Sequence, residues 1–265
     1  MNKLKKKFKY DKLGRGDFMK KIINDIKRAN RDMPKSTKII YTLLVVAALY
    51  MLINKLINTV EILVIIPVLI LSIVLHEIAH GYVAFLNGDK TAKESGRLSL
   101  NPIKHIDAFG LLLPLFLILT NASFVIGWAK PVPVNYRRLK NQKSSVFMVS
   151  IAGILVNLLL AFVGAILYKY LSSDLMSNKY IYLAIMYLIK LNVTLAIFNI
   201  LPIPPLDGSK IITAFGSYNL KLFLDKMEKY GFLIILVLLW TGILDFLMNP
   251  LYKLIYGLLN LFIGA

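Results

Sequence analysis

The chain has 265 residues, of which 57 % are hydrophobic, with a mean hydropathy of +0.66 and a formal charge of +18, an apolar share that excludes an ordinary soluble domain and describes a membrane protein. Residues 1–38 hold fourteen Lys/Arg against four Asp, more than half of the excess charge, so the basic balance points to anionic lipid beside apolar spans and away from nucleic acid. The absence of cysteine excludes disulfides and thiolate ligands and leaves His, Asp and Glu to hold any metal.

The basic start "MNKLKKKFKYDKLGRG" is not followed by a short apolar stretch and a small-residue cleavage site, so it does not read as a signal peptide. Residues 1–38 are either an amphipathic helix, with Phe18, Ile22, Ile26 and Ala29 at helical spacing, or a solvated basic flank. Crossing a bilayer takes about 17–25 apolar residues. Stretches of that kind are predicted near 39–57, 60–86, 144–171, 179–201 and 230–248. The tail 251–264 is a last short span or an interfacial helix.

Basic loops stay on the cytoplasmic side, which sets the orientation. Residues 1–38 lie inside, 39–57 run outward and 60–86 return. The loops 87–107 (Lys90, Lys93, Arg97, Lys104) and 127–143 (Lys130, Arg137, Arg138, Lys140, Lys143) then both belong inside. The stretch between them, 108–126, is therefore expected to be a re-entrant hairpin, with Pro114 early and Thr120, Asn121 and Ser123 late. Residues 172–178, without a basic residue, fall outside, and the segment with Lys210, Lys221, Lys226 and Lys229 falls inside.

Within 60–86 the sequence "HEIAH" interrupts an otherwise apolar helix. His76 and His80 are four apart, so their imidazoles share one face and can reach one ion. Glu77, beside His76, is placed to hold and deprotonate a water without ligating the metal. Ionisable groups in a span mark a functional site, and this pattern reads as a zinc site. It lies about 15 Å from Leu86 at 1.5 Å per residue, inside the membrane.

A catalytic zinc needs a third protein ligand and an open position. His105, Glu61, Glu94 and Glu228 are poorly placed, and the outstanding carboxylate is Asp207 in "FNILPIPPLDGSK". Pro202, Pro204 and Pro205 preclude a helix there, and unwound backbone at membrane depth requires a polar cavity. Gly208 is expected to permit a tight turn. In "WAKPVPVN", Pro131 and Pro133 remove donors from one strand edge, while Lys130, Val132 and Val134 keep theirs on the other. Either that second edge pairs with an unwound substrate by β-augmentation, or the stretch is a Pro-stiffened loop bordering the hairpin. His105 and Asp107 either support the metal site or cap a turn.

"HEIAHGYVA", "RLSLNPIKHIDAFG", "GWAKPVPVN" and "FNILPIPPLDGS", in this order and spacing, resemble the site-2 protease family of intramembrane zinc metalloproteases, most of all its compact prokaryotic branch. The resemblance covers roughly residues 60 to 215. It implies one Zn²⁺ on His76, His80 and Asp207, Glu77 as general base, and cleavage of peptide bonds in or near transmembrane helices of other membrane proteins. It also matches Gly153 to Asn157, with Ile154 where the family often has Pro. Asn157 is then either an oxyanion donor or a packing residue, and Asn199 resembles a substrate-positioning residue.

The expected fold is an all-α polytopic membrane protein: five to six transmembrane helices, a re-entrant hairpin and a short β element near the active site. Residues 1–38 form a basic cytoplasmic segment and 39–265 the metalloprotease domain. The alternative is a membrane transporter binding metal or protons, which should show paired broken helices in two related halves. No such repeat occurs in the sequence.

Overall fold

The computed structural model describes residues 46, 47, 50, 60–105, 107, 130–171 and 173–264. The chain divides into two units, Met1–Asn58 and Thr59–Ala265. The basic segment 1–38, most of the 39–57 span, the hairpin 108–126 and the start of "WAKPVPVN" lie outside the described residues.

Four described helices are long and apolar enough to cross a membrane. They are α1 (Val60–Leu86), α2 (Ser144–Tyr170), α3 (Lys179–Ile200) and α7 (Ile243–Ile263). The first three match the predicted spans to within a residue. Helix α2 is the centre, packed along both α1 and α3. Small residues allow this approach: Ala161, Gly164 and Ala165 are buried against Ile185, Ile189 and Val193 of α3. A Cβ at Gly164 would stand 2.7 Å from Ile189 Cγ1. A buried polar link also ties α1 to α3, where Asn192 Nδ2 donates to Ser72 Oγ at 2.8 Å.

Local signals set the ends. The Asn178 side chain accepts from the Tyr180 and Ile181 amides and starts α3, and Pro202 follows its close. Helix α4 (Asp207–Phe215) begins at the carboxylate itself, and amphipathic α5 (Tyr218–Glu228) follows it. The span predicted at 230–248 is corrected. Gly242, at φ +74°, closes α6 (Gly231–Trp240), and α7 restarts at Ile243. A left-handed glycine ends a helix whatever the hydropathy on either side of it.

The loops after α1 and before α2 are bonded to each other. Lys140 N donates to Asn87 O at 2.9 Å, Ser145 Oγ to Asn87 Oδ1 at 2.9 Å, and Asn135 N to Asp89 Oδ2 at 2.6 Å. The fully buried Asp89 also accepts from the Thr91 amide and hydroxyl. Among the described residues there is no strand, and 130–135 form neither helix nor ladder.

Burial by itself pushes the Asp89 carboxyl up. Its bonds to Thr91 and the Asn135 amide, with Arg138 nearby, outweigh that and hold it below its ordinary value. Such a group stabilises the fold fully above the unfolded carboxylate value, about 3.9, and the contribution fades as pH falls through the lower folded value. Asp89→Asn is therefore expected to lower stability in detergent at pH 7 by about 1.5–3 kcal/mol, the worth of a charged hydrogen bond. Thermal unfolding of wild type and variant should differ equally at pH 7 and 5 and converge only below about pH 4.

Candidate metal centre

His76 and His80 sit one turn apart on α1, and the Pro-broken chain after α3 delivers Asp207 to them as the first residue of α4. The two Nε2 atoms are 3.0 Å apart, and Asp207 Oδ2 lies 3.3 Å from His76 Nε2 and 3.1 Å from His80 Nε2. Among the described residues, these three form the group whose ligand atoms could share one metal ion. A tetrahedral ion with ligand bonds of about 2.0–2.1 Å spaces its ligands about 3.3 Å apart, so the triangle fits zinc with little movement. Asp207 Oδ2 is buried and, among the described residues, has no other hydrogen-bond partner, which leaves it free to ligate an ion.

Both imidazoles are oriented from behind. The Val149 carbonyl lies 2.7 Å from His80 Nδ1, so that nitrogen carries the proton and Nε2 keeps its lone pair. His76 Nδ1 faces the fully buried amide of Asn157 at 3.2 Å, whose Oδ1 is otherwise unpartnered. The two ends of an amide exchange by rotation. With Oδ1 accepting from Nδ1–H, His76 Nε2 keeps its lone pair toward His80 and Asp207.

Two glycines admit this crowding. A Cβ on Gly153 would stand 2.5 Å from His76 Cε1 and closer still to His80 Nε2. A Cβ on Gly208 would strike the Ile200 and Leu201 carbonyls. Gly208 is helical, with no positive φ, so the expected tight turn is corrected: the glycine is there for close approach.

Glu77 lies beside the triad and accepts from the Val132 amide at 2.7 Å on Oε2. Lys130 N donates to His105 O at 2.9 Å. Two donors of the edge expected to meet a substrate thus point inward here. His105 is buried with its ring on Ser99 O at 2.8 Å and stays out of the triad. Asn199, in the last turn of α3, donates to Leu195 O at 2.9 Å and does not join the triad. Sequence reasoning passed over Gly153 as a steric element, the Val149 carbonyl, and Lys210, whose Nζ lies 5.9 Å from the Tyr136 ring centre. The small residue four before Asn157 was the available signal for the first, whereas a backbone carbonyl carries none.

Gly153→Ala isolates the steric argument. The substitution favours an α-helix by about 1 kcal/mol, so a purely structural position would gain stability. Here the methyl group displaces an imidazole, and the expected outcome is a folded, helical protein with less than stoichiometric zinc by elemental analysis.

Three comparisons bear on identity. Residues 172–242 match the model of peptidase family M50. The chain is 41 % identical over 188 residues to "Putative zinc metalloprotease YwhC" of Bacillus subtilis (strain 168), covering 69 % of this chain and 83 % of that protein. It is 31 % identical over 177 residues to "Putative zinc metalloprotease Rip2" of Mycolicibacterium smegmatis (strain ATCC 700084 / mc(2)155), covering 66 % of each. No solved structure matches. Similarity of this extent, joined to two histidines and an aspartate at zinc-ligand spacing among membrane-length helices, places the chain in the site-2 protease family of intramembrane zinc metalloproteases, peptidase family M50.

Proposed function

We propose that His76, His80 and Asp207 hold the zinc ion of this intramembrane protease and that Glu77 is its general base. The observation that carries the assignment is the buried triangle of ligand atoms, 3.0–3.3 Å on each side, drawn from two helices far apart in sequence. Zinc supplies Lewis acidity, which makes water acidic enough to ionise near neutral pH. Glu77 accepts the water proton on a carboxylate oxygen as the new C–O bond forms at the substrate carbonyl. It then returns that proton to the amide nitrogen as the C–N bond breaks. Val149 and Asn157 hold the two imidazoles in the ligating tautomer and orientation. Full burial of Asn157 behind His76 favours this role over that of an oxyanion donor. Asn199 positions substrate by exchanging the Leu195 carbonyl for a substrate backbone group, a role its half-buried place ahead of Asp207 supports.

Substrates are membrane proteins, and the bilayer is the working medium. His76 is ten residues from the end of α1, about 15 Å along its axis, so a substrate helix must unwind to offer a carbonyl at that depth. Nothing in the site favours the transporter reading. The hairpin at 108–126 is supported by the direct bonding of the loops on either side of it, as in Lys140 to Asn87, together with their shared basic charge. The short β element is supported by Pro131 and Pro133, which bias the chain around them to extended backbone. We assign residues 1–38 to a basic segment on the cytoplasmic face, against anionic lipid, and 39–265 to the protease domain, on the strength of the charge distribution.

Elemental analysis with a cleavage assay separates base from ligands. Glu77→Gln should keep stoichiometric zinc and lose cleavage by about 10²–10⁴-fold, because an amide cannot take the proton. His76→Ala, His80→Ala and Asp207→Ala should lose metal and activity together. Loss of zinc in Glu77→Gln, or full zinc in Asp207→Ala, contradicts the assignment.

The cysteine-free chain allows topology to be read from single cysteines and a membrane-impermeant thiol reagent. Ser173→Cys should react in intact cells, and Ser95→Cys and Gln142→Cys only after the membrane is opened. Labelling of positions 95 and 142 from opposite sides removes the hairpin.

A further inference from the structure

Glu77 needs one carboxylate oxygen aimed at water, and a glutamate has three torsions by which to miss. Among the described residues its hydrogen bond is the one from the Val132 amide, 2.7 Å to Oε2, which leaves Oε1 available for a water. This is a charge-assisted bond, stronger than a neutral one. Val132 carries the sole N–H in the run Pro131–Val132–Pro133, and the two prolines hold the backbone extended so that it points one way.

The segment bearing that amide is fastened at several points. Arg97 Nη2 donates to Lys130 O at 2.8 Å and to Pro131 O at 3.2 Å, Lys130 N donates to His105 O, and Asn135 N donates to Asp89 Oδ2 at 2.6 Å. Val132 itself is buried and docks on Gly81, next to His80. A Cβ on Gly81 would stand 2.7 Å from Val132 Cγ1. Arg97 and Asp89 are 8 % and 0 % exposed, and burying a charge is costly unless its bonds are needed. Neither belongs to the metal triad.

We propose that residues 130–135 are a strap that aims the general base through the Val132 N–H, and that Arg97 and Asp89 are positioning residues for catalysis acting through this strap. The inference rests on the reading of Glu77 as base. It accounts for two buried charges that the zinc chemistry does not use. It also explains why the Val132 donor faces inward, since it serves the enzyme's own carboxylate.

The test uses the full-length zinc-loaded enzyme in detergent, with a fluorogenic or gel-resolved membrane substrate. Val132→Pro deletes the one N–H. The expected result is kcat per bound zinc lower by about ten- to a hundredfold, with KM within about threefold and zinc stoichiometry unchanged. Val132→Ala, which keeps the N–H and loses packing, should fall less. Turnover per zinc at the wild-type value in Val132→Pro overturns the proposal. If Val132→Pro does not fold, Arg97→Gln and Asp89→Ala decide. Reduced kcat per bound zinc, with partial recovery in Asp89→Asn, which keeps an acceptor for the Asn135 amide, supports the strap. Wild-type turnover per zinc in the folded fraction means the two residues are structural only and overturns it. Hydrogen exchange gives a readout without activity, because Val132 has no amide-bearing neighbour at 131 or 133. Exchange across 130–134 should quicken in Glu77→Ala, and unchanged exchange overturns the bond. Glu77→Gln in the same assay keeps the two failures apart. If it cleaves, the base assignment falls; if it is inactive while Val132→Pro is unimpaired, only the strap does.

Discussion

The meeting of one carboxylate with two imidazoles inside an apolar bundle governs this structure. An ionised aspartate in hydrocarbon is costly unless it is paired, and among the described residues Asp207 Oδ2 faces the two Nε2 atoms alone. Much of the local architecture serves that contact. Pro202, Pro204 and Pro205 stop α3 so that the chain can bend back, Gly208 lets the start of α4 press against the Ile200 and Leu201 carbonyls, and Gly153 lets α2 lie against the imidazoles. A side chain at either glycine would push a ligand out of reach.

The same economy extends outward from the ligands. Water is scarce at this depth, so polar atoms must find partners within the protein. Val149 supplies a carbonyl to His80, Asn157 an amide to His76, and Ser72 and Asn192 bond each other between α1 and α3. These contacts lie on the α1, α2 and α3 faces that small residues bring together. Helix packing and ligand orientation are thus one arrangement. The packing that buries Ile185, Ile189 and Val193 also holds Asn157 behind its histidine.

At the other end of α1 the chain is polar and irregular, yet tightly bonded. Asp89, Arg97 and the backbone of residues 130–135, through the Asn135 amide and the Lys130 and Pro131 carbonyls, form a network between two loops separated in sequence by the 108–126 stretch. Through the Val132 amide this network touches Glu77, so α1 is gripped both by its membrane neighbours and by the 130–135 loop.

Much of this was legible in the residues. Continuous apolar stretches of membrane length identify α1, α2 and α3, because hydrocarbon selects for helices that satisfy their own backbone. The four-residue spacing of His76 and His80 puts both rings on one face of a helix, since 3.6 residues make a turn. The prolines before Asp207 announce an unwound segment for the same kind of local reason. The break at Gly242 was not legible, because hydropathy does not report one left-handed residue. The proper purpose of Gly208 and the inward direction of the Val132 amide also required three dimensions. The convergence of Asp207 with two histidines more than 120 residues earlier was expected from its unwound, proline-bound setting, and the structure brings the three together. Local sequence by itself determined α1, α2 and α3 and the shared face of His76 and His80, because each depends on residues within a few turns of one another, and the order of several such short motifs along residues 60 to 215 carried the likeness to a protease family. Tertiary structure alone decided how closely Asp207 meets the two imidazoles, which atoms orient the rings and where each glycine must make room, because those depend on distances between segments that only packing brings together.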